Sequence, residues 1–198
     1  MKNIEEKKQE KEKTLLNAAF DLFTKKDIKC TSIQDIVDKA GVAKGTFYLY
    51  FKDKYEIRDT LIAKKSKKLF IAALDALRKE KISSFSEEIV FIIDHVINQL
   101  NNDKLLLKFI SKNLSWGIYN KNVMKLTDND NHSLLDVFLN RAISKNVKLK
   151  NPEITLFMII ELVGSTCFTS ILYQEPVSIE EYKPYLYDTI RNMLKDNN

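Results

Sequence analysis

The chain has 198 residues, 44% of them hydrophobic, which is enough for one or two domains with a real core and too much for a disordered chain. Glycine (4) and proline (3) are scarce and no long run alternates apolar and polar residues, so the composition points to an all-helical protein. Residues 1–81 hold 20 Lys+Arg against 13 Asp+Glu, a balance of +7 that the remainder trims to the overall +5; a basic front on a nearly neutral body fits a polyanion partner, or plain solubility.

The first helix is expected over about 6–25, where Leu15, Ala19, Leu22 and Phe23 recur at helical spacing, as do Leu16 and Phe20. Its start, "MKNIEEKKQEKEK", has no apolar run behind it and does not read as a signal peptide. A second helix starts at Thr31 or Ser32, whose hydroxyls can cap it with Gln34 or Asp35 as the reciprocal partner. Ile33, Ile36, Val37 and Ala40 form its apolar face, and Gly41 ends it. A third, short helix follows over about 43–50. Two helices of about eight residues joined by a three-residue turn containing glycine have the sequence form of a helix-turn-helix. Neither is long enough to stand alone, so both must pack on the first helix and on the fourth.

The fourth helix is expected over about 53–81, capped by Asp53, with Tyr55, Ile57, Leu61, Ile62, Leu69, Phe70, Ala73, Leu74 and Leu77 as its apolar positions. Its "KKSKK" run reads as a solvated face or as a DNA contact. Five more helices are expected at about 85–101, 103–119, 131–146, 152–173 and 178–196, with breaks at "NND", "TDNDN", "VKLKNP" and "QEPVS". Pro184 is expected to mark where the last helix proper begins. The run from Ile154 to Leu172 is interrupted by Glu161 and small polar residues, so it reads as a buried helix and not a membrane span. Cys30 and Cys167 follow no metal spacing and read as reduced thiols in a cytoplasmic protein.

The segment "GVAKGTFYLYFKDK", Gly41 to Lys54, packs aromatics and lysines together. In a helix-turn-helix the second helix enters the DNA major groove. Phe47, Tyr50 and Phe51 are spaced to pin that helix to the domain, which leaves Lys44, Thr46, Tyr48 and Leu49 on the other side. Gly45 lets backbone approach the bases. Lys52 and Lys54 flank the groove, and the hydroxyls of Thr31, Ser32, Thr46 and Tyr48 can donate to phosphate oxygens.

"TSIQDIVDKAGVAKGTFYLYFKDK" resembles the DNA-binding domain of TetR/AcrR-family bacterial transcriptional regulators, over about residues 9–60. The hydroxyl pair, "I-V-x-K-A-G-V", "K-G-T-F-Y-x-Y-F" and "K-D-K" all stand in register. The resemblance implies an all-α homodimer with a DNA-binding domain over 1–52 and an effector-binding and dimerisation domain over 53–198. It implies double-stranded DNA with a palindromic operator as partner, contacted by Thr31 or Ser32, Lys44, Gly45, Thr46, Tyr48 and Lys54. It implies repression relieved by a small-molecule effector that moves the fourth helix. The chain departs from the family at Ala43, where a phosphate-binding serine is common, at Leu49, where Tyr or His is common, and at Val37, where alanine is common. A leucine at 49 can touch a thymine methyl.

Past residue 82 the resemblance reduces to a layout, in which the last two helices pair with their copies. The helix over 152–173 is apolar around most of its circumference and is expected to be buried on all sides. Tyr185, Leu186, Ile190, Met193 and Leu194 form the stripe of the last helix. Candidate effector contacts are Trp116 with Tyr119 and Asn113 nearby, His95, and Glu161, each of which also reads as ordinary core or surface. Glu161 could meet a cationic effector or a contact across the dimer. No nucleophile–base pair, phosphate loop or metal cluster can be assembled from the sequence, so no enzyme, metal or cofactor is expected. The competing reading is an architectural or adapter helix-turn-helix protein without a small-molecule switch; a further one is an effector-binding body whose head no longer reads DNA.

Overall fold

The computed structural model describes residues 3–110 and 133–195. Among them it holds nine helices and no strand: α1 Ile4–Lys26, α2 Ile33–Ala40, α3 Lys44–Tyr48, α4 Lys54–Leu77, α5 Phe85–Asn102, α6 Lys104–Ile110, α7 Leu134–Ser144, α8 Pro152–Leu172 and α9 Ile179–Met193. The chain divides into two compact units, Met1–Ile62 and Ala63–Asn198, and the division falls within α4.

Local chemistry sets the helix ends. Ser32 Oγ accepts from the Asp35 N–H at 3.0 Å while Asp35 Oδ2 accepts from the Ser32 N–H at 2.7 Å, so the expected capping box forms on Ser32 and not on Thr31. The backbone N–H of Ser32, then the Lys26 ammonium, hold the Asp35 carboxyl from its ordinary 3.8 down to about 2. That contribution to folding is present above pH 3.8 and is lost as pH falls toward about 2. Gly41 closes α2 at φ 66°, a left-handed conformation that costs a side-chain-bearing residue about 1–2 kcal/mol. Asp53 caps α4, its Oδ1 accepting from the N–H of Tyr55 and of Glu56, both at 2.8 Å. Ser133–Asp136 and Ser178–Glu181 repeat the capping box at α7 and α9. The Ser178 box starts α9 ahead of the proline. Pro184 therefore lies inside the helix instead of opening it, and leaves the Glu180 carbonyl without its usual N–H donor.

In the first unit, Leu15, Ala19 and Phe23 of α1 close on Ile36 and Val37 of α2, with Phe47, Phe51, Ile57 and Leu61 completing a buried apolar core. Tyr55 stands outside it: the ring is exposed and carries Lys54 Nζ at 5.7 Å and the Arg58 guanidinium at 5.4 Å from its centroid, where cation–π attraction replaces burial.

In the second unit, α5 is the hub. Ion pairs tie α9 to it. Arg191 grips Glu87 with two bonds of 2.6 and 3.0 Å, and the guanidinium lowers the Glu87 carboxyl below its ordinary range. Lys183, almost fully buried, donates to Asn98 Oδ1 at 2.6 Å and lies 3.2 Å from Asp94 Oδ1, which also accepts from the Tyr187 hydroxyl. Burial, then the Asp94 carboxylate, push the Tyr187 phenol up. Burial alone would lower the Lys183 ammonium, and the Glu180 and Asp94 carboxylates outweigh it and raise it. Cys167 is buried and free, its thiol pushed by burial up to about 12; Cys30 is free and exposed.

Two apolar sides that the layout expects to pair with a second copy are exposed within the single chain. α8 buries Leu156, Ile159, Ile160, Val163 and Ile171 but exposes Ile154, Phe157, Met158 and Glu161. It is long and apolar enough to cross a membrane by length and composition, with 39% of its apolar window buried inside the chain. Tyr185 of α9 is likewise exposed, one residue from the fully buried Leu186, because i and i+1 point to different sides of a helix.

Candidate nucleic-acid interface

The third helix sorts its side chains by helical spacing. Phe47 and Phe51, four apart, enter the core with ring centroids 5.8 Å apart, and the half-buried Tyr50 stands beside Phe51 at 6.4 Å. The Phe51 N–H donates to the Phe47 carbonyl at 3.0 Å, so the helical path continues through the pair. Lys44 and Tyr48, also four apart, share the opposite, exposed side with Gly45 and Leu49. Tyr48 is 53% exposed, its ring edge-on to Phe47 at 5.6 Å, and Leu49 is 79% exposed. A Cβ built on Gly45 would meet nothing within 4 Å, so the fold itself does not require glycine there. Ala43 occupies the N-cap of α3 with no side-chain hydrogen bond, the structural consequence of lacking a hydroxyl.

The hydroxyl pair splits. Ser32 is exposed at the mouth of α2. Thr31 is 1% exposed and its Oγ1 donates to the Asp27 carbonyl at 2.7 Å, so its hydroxyl is bound within the fold and is not available to a phosphate. Lys54 is also turned inward. Its Nζ donates to the carbonyls of Lys29 at 3.2 Å and Thr31 at 3.0 Å, fastening the start of α4 to the loop that presents Ser32. Thr46 is half-buried beside the exposed set.

The second unit holds a partly open pocket of about 70 Å³ between α4, α5, α7 and α8, walled by Phe70, Ile92, Val96, Phe138 and Ile160 among other apolar side chains, with Arg141 the one polar residue in the lining among the described residues. The sequence-based effector candidates lie elsewhere. His95 is half-buried and stacks on Phe91, centroids 6.3 Å apart. Glu161 is exposed on the outer side of α8. Asn113, Trp116 and Tyr119 lie outside the described residues. Sequence reasoning missed Arg141, and a signal was there: Leu134, Phe138, Arg141 and Ala142 fall at helical spacing on one side of α7, so a cation sits on an otherwise apolar stripe.

Residues 15–61 match the family model for bacterial regulatory proteins of the tetR family, a span that contains all of α2 and α3 and the opening of α4. Over those residues the chain is similar to that family. The chain is 26% identical over 187 residues to YvdT of Bacillus subtilis (strain 168), an uncharacterized HTH-type transcriptional regulator, covering 91% of this chain and 93% of that one. It is 25% identical over 163 residues to YhgD of the same organism, also an uncharacterized HTH-type transcriptional regulator, with 80% and 83% covered. Solved structures share the fold. The fatty acid degradation regulator FadR from Bacillus halodurans has a TM-score of 0.64 at 18% identity, with 91% of this chain and 94% of that chain covered. SmeT, the repressor of the Stenotrophomonas maltophilia multidrug efflux pump SmeDEF, has a TM-score of 0.62 at 16% identity, with 94% and 91% covered. The match over 15–61 and these relatives support a DNA-binding transcriptional regulator, and the relatives are regulators and not enzymes.

Proposed function

We propose that the chain is a cytoplasmic repressor that binds a palindromic operator as a homodimer and leaves it when a small molecule enters its C-terminal domain. Residues 1–52 serve as the DNA-binding domain and 53–198 as the effector and dimerisation domain. The observation that carries the reading is the split of α3 into a buried aromatic side and an exposed side bearing Lys44, Gly45, Tyr48 and Leu49. Such a helix can lie in a major groove while its core side chains fix its angle. Ser32 and Tyr48 supply hydroxyls for phosphates and Lys44 supplies charge; Thr46 adds a hydroxyl from the edge of the set. Lys54 acts here by holding the loop ahead of α2, with one N–H left over for phosphate. Two α8 helices covering each other's Ile154, Phe157 and Met158 would remove that apolar side from water, which supports the homodimer.

Two substitutions test the interface. Lys44→Ala is expected to weaken all duplexes alike and to reduce the slope of log K against log salt by about 0.9 for each phosphate that Lys44 neutralises. Anisotropy titrations across a salt series measure this, and an unchanged slope places Lys44 away from the phosphates. Gly45→Ala is expected to stabilise the fold by about 0.5–1 kcal/mol, because alanine is the better helix former and its Cβ meets nothing. The same change should weaken duplex binding about tenfold or more, because the Cβ stands where bases approach. Improved stability with undiminished binding would show that Gly45 is not at the groove.

A further inference from the structure

Among the described residues no large apolar side chain is more exposed than Leu49. It stands at the end of α3, where its N–H donates to the Thr46 carbonyl at 3.3 Å and the chain returns to the core two residues later at Phe51. The backbone at 49 is thus fixed, while the side chain adds nothing to the core. Leu49 shares the exposed side of α3 with Lys44, Gly45 and Tyr48, and Lys52 is exposed just beyond. Lysines and a phenol suit a polyanion, but a leucine can bond to neither phosphate nor sugar. Its neighbour one turn back is Gly45, where a Cβ would meet nothing, so positions 45 and 49 together offer a duplex no hydrogen-bonding side chain. What such a row can recognise is set by the base edges. In the major groove guanine, cytosine and adenine present donors and acceptors, and only thymine presents an apolar group, its C5 methyl. A leucine laid over a polar edge strips its water and returns no bond. Laid over a methyl, it removes apolar surface from water on both partners. Discrimination therefore has a repulsive part as well as an attractive one. We propose that Leu49 is the specificity-determining residue of α3, and that each half-site holds a thymine whose methyl it covers. The inference rests on the reading of α3 as the major-groove helix.

The test uses the full chain and the duplex that selection from a random pool recovers. Uracil, which is thymine without the methyl, replaces each thymine in turn, in both half-sites together, and anisotropy reads the Kd. At one position per half-site uracil is expected to weaken wild-type binding about fourfold for each half-site, or about fifteenfold for the pair, the size that burying one methyl carries. In Leu49→Ala the same replacement should change the Kd by less than about twofold, and the melting temperature should stay at the wild-type value because the lost side chain is almost wholly in water. Leu49→Met keeps the apolar reach and should retain the uracil penalty. An operator without thymine in its half-sites, uracil tolerated by the wild type at every position, or a penalty as large in Leu49→Ala as in the wild type would overturn the assignment. A defined operator with any of these results removes Leu49 alone and leaves the regulator reading standing. Recovery of no preferred sequence removes the regulator reading and this inference with it.

Discussion

Phe47→Ala is expected to destabilise the first unit by about 3–5 kcal/mol and to abolish duplex binding with it. Phe47 is fully buried and in ring contact with Phe51 and Tyr48, so truncation removes apolar packing and leaves a cavity that a five-residue helix cannot collapse to fill. A loss of that size approaches the whole stability of a small domain. Its neighbour supplies the control. Tyr48→Ala removes a ring that is half in water and meets Phe47 edge-on, so the folding free energy should fall by about 0.5–1.5 kcal/mol, well short of the Phe47→Ala loss. Duplex affinity should nonetheless fall about tenfold or more, because a hydroxyl-to-phosphate bond is worth about 1.5–3 kcal/mol. Denaturant melts and anisotropy on both variants separate the two roles. A Phe47→Ala protein with the wild-type midpoint would show that the aromatic pin does not hold α3, and a Tyr48→Ala protein with intact binding would take Tyr48 out of the interface.

Removing the carboxylate of Glu88, in the second unit, should cost nearly as much. Its side chain is 9% exposed and is the acceptor for both Arg141 and Lys145. Glu88→Ala leaves two cations facing each other without it. Breaking a buried pair from one side costs about 3–5 kcal/mol, and the lower end applies here because each cation keeps about a quarter of its side chain in water. Replacing the three together, Glu88→Leu with Arg141→Met and Lys145→Met, is expected to recover most of the loss, since apolar residues of similar volume fill such sites without the desolvation cost. Thermal melts of the single and triple variants decide it. If the triple variant is as unstable as the single one, the packing of α7 on α5, and not the charge, is what Glu88 sustains.

The parts of this molecule that are legible in its sequence are those governed by neighbours in the chain. Ser32 with Asp35, Gly41 after Ala40, and Asp53 ahead of Tyr55 each place a cap by rules that span three or four residues, and each stands where the spacing puts it. The burial of Phe47 and Phe51 follows from the same short period. Readings fail where the deciding partner is distant. Lys54 shows only its phosphate-contact reading in the sequence, because nothing nearby reveals the Lys29 and Thr31 carbonyls that take two of its three ammonium N–H groups. Thr31 is indistinguishable from Ser32 until the Asp27 carbonyl claims its hydroxyl. Arg141 and Glu88 meet across 53 positions, and no local rule pairs them. Pro184 points to a helix start by its usual place, and a strong cap six residues earlier overrides it. The cavity is unreadable for a related reason: its walls come from four helices, each of which shows only an ordinary apolar stripe.

That the chain reads one DNA sequence as a dimer is tested most directly by selection of bound duplexes from a random pool by the purified full chain. Recovery of a single inverted repeat, with half-sites about one helical turn apart or somewhat more, is the predicted result. Recovery of sequence-blind binding that merely fades with salt would contradict it and would favour an architectural role for the helix-turn-helix.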